Sequence, residues 1–242
     1  MSHKILITDP LAPQGVKRLQ AQPEIVFDVR SGLTGEELVQ LIPAYHGLII
    51  RSGTQVTADI INAAQTLKVI GRAGIGVDNI DVEAATKRGI IVMNTPGGNN
   101  VTTAEHTVTL LLALARNIPQ AHLSMKGGKW DRKKYAGTEL SSKTLGICGM
   151  GRIGGQVARR AIAFGMRVLA YDPYLSLSKA RELQVELLEL DELMERSDFI
   201  TVHMPLTEQT RNMINAESIS RMKDGVYLIN CARGGIINET DI

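Results

Sequence analysis

From Thr144 to Asp172 the chain reads TLGICGMGRIGGQVARRAIAFGMRVLAYD. A β-branched apolar run, Thr144–Cys148, opens onto glycines at 149, 151 and 154. A helical pattern over Ile153–Ala163 and a second apolar run, Arg167–Tyr171, follow. Strand, glycine turn, helix and strand in this order specify a right-handed crossover between parallel strands. The glycines fall where strand and helix come closest. Gly149 permits the tight turn, Gly151 lets the backbone approach a pyrophosphate, and Gly154 lets the helix pack on the strand. N–H groups at Gly151, Arg152 and Ile153 then face the phosphates, helped by the helix dipole. Asp172 ends the second strand, 18 residues beyond Gly154. A carboxylate there accepts both ribose hydroxyls of an adenosine and repels a 2′-phosphate. Pro173 and Tyr174 follow it, with no Arg, so the pattern favours NAD over NADP. The competing reading is that Asp172 only caps the βα turn.

The rest of the chain repeats this alternation. Lys4–Thr8, Ile25–Val29, Gly47–Ile50, Val69–Gly71 and Ile90–Met93 read as buried strands. Helical spacing over Gln14–Ala21, Thr34–Leu41, Thr57–Ala64 and Val82–Lys87 separates them. After the glycine turn come strands Phe199–His203 and Val226–Asn230, with helices Asp191–Arg196 and Ala216–Met222. Strands alternating with helices give an α/β fold with mostly parallel sheets. A helix from Val101 joins the two series, with Val101, Ala104, Val108, Leu111, Ala115 and Ile118 on one face. The loop composition of NTPGGNN before it places a domain boundary near residue 98. The expectation is two lobes, 1–98 and 99–242, each a doubly wound sheet. Residues 126–139 are polar and read as an exposed extension.

Composition removes other classes. With 27 basic and 25 acidic residues, the net charge is +2. No electrostatic footprint for nucleic acid or an anionic membrane exists. The longest apolar run, Leu110–Ala115, is six residues, against about 18 for a membrane span. No secretory h-region follows Met1. Cys148 and Cys231 lie far apart in apolar runs, which suggests two buried thiols in a reducing cytoplasm and no metal site.

Four stretches carry a family resemblance: VIGRAGIGVDNIDVEAATKRGIIVMNTPGGN at 69–99, GTELSSKTLGICGMGRIG at 137–154, DFITVHMPLTEQT at 198–210 and NCARGG at 230–235. Together they resemble the D-isomer-specific 2-hydroxyacid dehydrogenases, and within that family the branch acting on a phosphorylated 2-hydroxy acid. The resemblance implies a flavodoxin-like substrate lobe, a Rossmann NAD lobe, and substrate bound between them. It implies NAD-dependent oxidation of D-3-phosphoglycerate to 3-phosphohydroxypyruvate, at the start of serine biosynthesis, in a homodimer or homotetramer. Arg233 matches the family's catalytic arginine; its planar, permanently charged fork suits a carboxylate and a carbonyl oxygen. Gly74, Ile75 and Gly76 match a carboxylate cradle made of backbone N–H groups. Arg51 and Ser52 match positions that reach the substrate's distal phosphate, and Asn99 a substrate- or hinge-contacting position. His203, Pro205, Cys231 and Ala232 match the wall beside the nicotinamide. The basic run Arg132–Lys134 either reaches a neighbouring subunit's site or is a solvated charge cluster.

The family's acid–base pair, a His assisted by a Glu, lies downstream of the RGG motif. This sequence ends nine residues after Arg233, and none of its five His sits in the matching motif. The expectation is an incomplete cofactor lobe with little turnover of its own. Two alternatives stay open: a reductase of glyoxylate or hydroxypyruvate, and a non-catalytic NAD-sensing module.

Overall fold

The computed structural model describes residues 2–242. The chain forms two compact units, one up to Asn99 and one from Asn100 to Ile242.

The first unit runs β1 (His3–Ile7), α1 (Pro13–Gln20), β2 (Ile25–Val29), α2 (Gly35–Leu41), β3 (Gly47–Ile50), α3 (Ala58–Ala63), β4 (Val69–Arg72), α4 (Val82–Lys87) and β5 (Ile91–Met93). Its sheet is wholly parallel, in the order β2-β1-β3-β4-β5. That is the flavodoxin-like winding, whose order reverses between β1 and β3; loops at the carboxyl ends there face a natural crevice. Leu6, Leu48, Ile50 and Ile70 bury against Leu38, Ile42, Ile60 and Ile61. Each such side chain contributes about 1.5–3 kcal/mol by leaving water. Thr34 and Glu37 close a capping box on α2, and Asp81 caps α4. The helices therefore start where side-chain oxygens meet the first-turn N–H groups.

The second unit runs α5 (Asn100–Ala115), α6 (Ile118–Lys126), β6 (Thr144–Cys148), α7 (Arg152–Ala163), β7 (Arg167–Tyr171), α8 (Leu177–Glu182), β8 (Glu186–Leu187), α9 (Leu190–Arg196), β9 (Phe199–Val202), α10 (Ala216–Ser220) and β10 (Tyr227–Asn230). The order is β10-β9-β6-β7-β8, again all parallel, and it reverses between β6 and β9. Ala104, Leu111 and Ala115 of α5 join Val157, Ala158 and Ala161 of α7 in one apolar core.

Several expectations change. The connecting helix is two helices. Asn117 takes a left-handed conformation, φ 53°, and Pro119 follows in the first turn of α6. A proline removes a helical N–H and clashes with the preceding turn, so α5 cannot run on. Val101 and Ile118, expected on the buried face, are 50% and 55% exposed. The polar helix α8 and the two-residue β8 carry too little periodicity to be read from sequence. Glu186 of β8 is tied by ion pairs to Arg167 and Arg196. Cys148 is buried as expected, but Cys231 is only half-buried. Residues 126–139 are exposed except for Tyr135 and Thr138, which are half-buried, with one 3-10 turn over Arg132–Tyr135.

Candidate functional site

In the second unit the glycine turn sits at the reversal of strand order, between the carboxyl ends of β6 and β9. Gly149 has φ +97°, and a Cβ on it would lie 2.7 Å from the His203 carbonyl oxygen. At Gly154 a Cβ would lie 2.1 Å from the Gly149 carbonyl oxygen. Both positions are closed to any side chain. Gly151 differs: nothing lies within 4 Å of the place where its Cβ would be. It is the N-cap of α7, and no side chain caps it. First-turn N–H groups of a helix have no intrahelical partner, so Arg152 and Ile153 present donors beside open space at the positive end of a twelve-residue helix. This cradle fits a pyrophosphate.

Asp172 follows β7. Its Oδ2 accepts the Met150 N–H at 2.8 Å and its Oδ1 accepts the Tyr174 N–H at 2.9 Å. The turn-holding role, set out above as the competitor to ribose binding, is thus realised in the geometry. It does not displace the other, since each carboxylate oxygen has a second lone pair. His203 follows β9 and donates its backbone N–H to the Cys148 carbonyl at 2.7 Å. Its Nε2 lies 3.1 Å from the Thr201 hydroxyl, and its buried Nδ1 has no partner among the described residues. Burial holds its pKa down at about 4, so the ring is neutral near pH 7. Burial alone pushes the neighbouring Cys148 thiol up to about 12, which makes it inert. Pro205 is exposed next to His203.

The NCARGG segment leaves β10. Asn230 Oδ1 accepts the Ala232 N–H at 2.9 Å, and its Nδ2 donates to the Arg233 carbonyl at 2.8 Å. These bonds fold the turn back on itself and set where Arg233 emerges. The half-buried Arg233 also donates through Nη1 to the Ala232 carbonyl at 2.9 Å.

In the first unit, Arg51 and Ser52 follow β3 and the Ala73–Gly76 turn follows β4, on adjacent strands joined by the Ala73 N–H to the Ile50 carbonyl at 2.8 Å. Gly74 does not offer its N–H to an anion as expected, because that N–H bonds back to the Arg72 carbonyl at 2.8 Å. The cradle is narrower: among the described residues, the N–H groups of Ile75 and Gly76 have no protein acceptor. The carbonyls of this turn are taken up by Thr95 and Asn94, in the exposed loop that leads to Asn99. Sequence reasoning missed Asp9, Arg72 and Asn79, all buried around these loops. Asp9 could have been found from its place just after β1; nothing in the sequence marks Asn79.

A doubly wound parallel sheet with this glycine turn and a following acidic residue is a dinucleotide-binding fold. Residues 108–242 match the D-isomer specific 2-hydroxyacid dehydrogenase NAD-binding domain, and the chain belongs to that family. It is 54% identical over 98% of its length to a D-3-phosphoglycerate dehydrogenase of Methanocaldococcus jannaschii, and 52% to one of Rattus norvegicus. The chain spans about 45% of the length of these curated relatives. Among solved structures it is similar to D-lactate dehydrogenase from Aquifex aeolicus complexed with NAD and lactic acid. There the TM-score is 0.87 at 31% identity, covering 97% of this chain and 70% of that one. A Thermus thermophilus protein superposes at TM-score 0.91, with 35% identity, covering 98% of this chain and 76% of that one. No described helix is long and apolar enough to cross a membrane.

Proposed function

We propose that this chain supplies the substrate- and NAD-binding parts of a cytoplasmic enzyme that oxidises D-3-phosphoglycerate to 3-phosphohydroxypyruvate. The observation that carries the reading is identity of about one half, over nearly the whole chain, to D-3-phosphoglycerate dehydrogenases of an archaeon and a mammal alike.

In this reading residues 99–242 hold the cofactor and residues 1–98 the substrate. Gly149, Gly151, Arg152, Ile153 and Gly154 form the pyrophosphate cradle, and Asp172 takes the adenosine ribose. His203, Pro205, Cys231 and Ala232 line the nicotinamide end. NAD, when bound, supplies the hydride acceptor. Arg233 orients the carboxylate and stabilises the negative charge on the C2 oxygen as its proton leaves; that electron pair then closes the carbonyl as C2 loses its hydrogen with both electrons. In the first unit the N–H groups of Ile75 and Gly76, and Asn99, are the groups offered to the substrate. Arg51 and Ser52 hold the phosphate. The hydroxyl proton leaves to a base as the C2–O bond becomes a carbonyl. His203 is a poor acceptor, since a useful base has a pKa near the operating pH. The base in this reading is the Glu-assisted His that the family carries after its RGG motif. Two copies pair through α5, α6 and the segment that follows, where Leu123 and Trp130 are 69% and 72% exposed.

The test is binding and turnover side by side. Calorimetry on this chain measures affinity for D-3-phosphoglycerate, glycerate, glyoxylate and hydroxypyruvate with NADH present. NADH formation by the full-length enzyme then ranks the 2-hydroxy acids among these ligands. The expected result is a clear preference for the phosphorylated acid. Equal or better binding of the unphosphorylated acids would overturn the reading.

A further inference from the structure

The loop that presents Arg51 and Ser52 is held in a way that its exposure would not suggest. Two buried side chains, Asp9 and Asn79, grip its backbone from opposite sides. Asp9 follows β1 and is 8% exposed; Asn79 follows the glycine turn after β4 and is 5% exposed. Asp9 Oδ2 accepts the N–H of Arg51 at 2.6 Å and that of Thr54 at 3.2 Å. Asn79 Nδ2 donates to the carbonyls of the same two residues, Arg51 at 2.7 Å and Thr54 at 2.6 Å. Both backbone donors and both acceptors that bracket the loop are thus taken by two side chains.

The orientation of each gripping group is itself fixed. Asn79 Oδ1 accepts the Arg72 Nε–H at 3.0 Å, so its amide can point only its NH2 toward the loop. The Arg72 guanidinium packs under Gly74, where a Cβ would lie 2.0 Å from Nη1. Asp9 Oδ1 fills the space beside Gly53, where a Cβ would lie 2.4 Å from it. The Thr8 and Thr54 hydroxyls meet at 2.8 Å and tie the loop's far end back to β1. Asp9 and Arg51 come from just beyond β1 and β3, and Asn79 from seven residues beyond β4, so the clamp spans the strand reversal.

We infer that Asp9 and Asn79 are positioning residues that hold the Arg51–Thr54 loop ready for an anionic substrate group. This deepens the proposed function and rests on its assignment of Arg51 and Ser52 to the distal phosphate. A flexible arginine on a mobile loop loses rotational and backbone freedom when it captures an anion. A clamped loop has already lost the backbone part, so more of the contact appears as affinity. The grip is also specific in chemistry. Asn79→Asp puts a carboxylate against two carbonyls and deletes two donors, yet keeps size and the Arg72 contact. Asp9→Leu keeps bulk but leaves the Arg51 and Thr54 N–H groups without their acceptor.

The experiment is a double-mutant cycle on this chain, with D-3-phosphoglycerate as probe and saturating NADH. Asn79→Asp and Asp9→Leu are each expected to weaken phosphoglycerate binding tenfold or more, with NADH affinity, which belongs to the other unit, unchanged. In an Arg51→Ala background the same substitutions should weaken it threefold or less, because the side chain they position is gone. A purely structural role would give the same loss in both backgrounds, and that result overturns the inference. Wild-type affinity in the single variants overturns it equally. Should Asn79→Asp not fold, Asp9→Leu runs the same cycle at the N–H groups instead of the carbonyls. A wild-type chain that binds no phosphoglycerate removes the functional reading and this inference together, which is distinct from a binding wild type with unaffected variants.

Discussion

Asp172 holds the glycine turn, and substitution can separate that from the ribose-binding role proposed for it. Its carboxylate anchors the N–H of Met150, inside the glycine turn, and of Tyr174, outside it. These bonds are not equal in worth. Met150 is 6% exposed and Tyr174 95%. In Asp172→Ala the Tyr174 N–H turns to water at little cost, while the Met150 N–H is stranded. A hydrogen bond to a charged group is worth about 1.5–3 kcal/mol, so Asp172→Ala should lower unfolding stability by about 2 kcal/mol, nearly all of it from Met150. Asp172→Asn differs. Its amide oxygen can stay on the buried Met150 N–H while the NH2 faces the wet side, so stability should fall by less than about 1 kcal/mol. The negative charge that repels a 2′-phosphate is lost in both. NAD should therefore bind about 5- to 150-fold more weakly to Asp172→Ala, the equivalent of 1–3 kcal/mol. Asp172→Asn should keep the turn and relax discrimination against NADP. Denaturant melts and cofactor titrations with NAD and NADP check both halves. If Asp172→Asn kept the wild-type preference for NAD, charge at this position would not set the choice. If Asp172→Ala melted like wild type, the Met150 bond would carry no load.

Three further outcomes are expected. Gly149→Ala combines a left-handed backbone with a Cβ 2.7 Å from a carbonyl oxygen; it should lose at least about 2 kcal/mol of stability and measurable NAD binding, and a normal melt with normal affinity would refute the geometry. His203 is held neutral, with a folded pKa of about 4 below its ordinary 6.5. Its contribution is fully present above pH 6.5 and is lost as pH falls toward 4, about 3 kcal/mol in all. Wild type should lose stability across that window while His203→Phe loses none from this site, and parallel pH dependence in the two would refute the assignment. If the proposed pairing through α5 and α6 holds, Leu123→Glu on α6 should shift the full-length enzyme toward smaller species in sedimentation at micromolar concentration; an unchanged profile would refute that pairing.

The sequence by itself determined the alternation of strands and helices, the parallel sheets, the cofactor turn and the family. Those signals are local. Residues 144–172 carry their own strand, turn and helix, and glycines at 149 and 154 are demanded by contacts within a few residues or across one strand, while Gly151 borders open space. Apolar runs such as Gly47–Ile50 and Thr144–Cys148 fix buried parallel strands because both faces must leave water. Tertiary structure alone decided what depended on distant partners. Val101 and Ile118 share a helical phase with buried residues, but the break at Asn117 and the position of α7 leave them outside. Gly74 has the composition of an anion cradle, but its N–H is spent on the Arg72 carbonyl. Asp172 reads in the sequence as a ribose ligand, and the fold makes it a strut for the turn beneath it. Asn79 had no pattern to betray it, because its value lies in reaching two carbonyls 25 and 28 residues away. Such a contact exists only once β3 and β4 lie side by side.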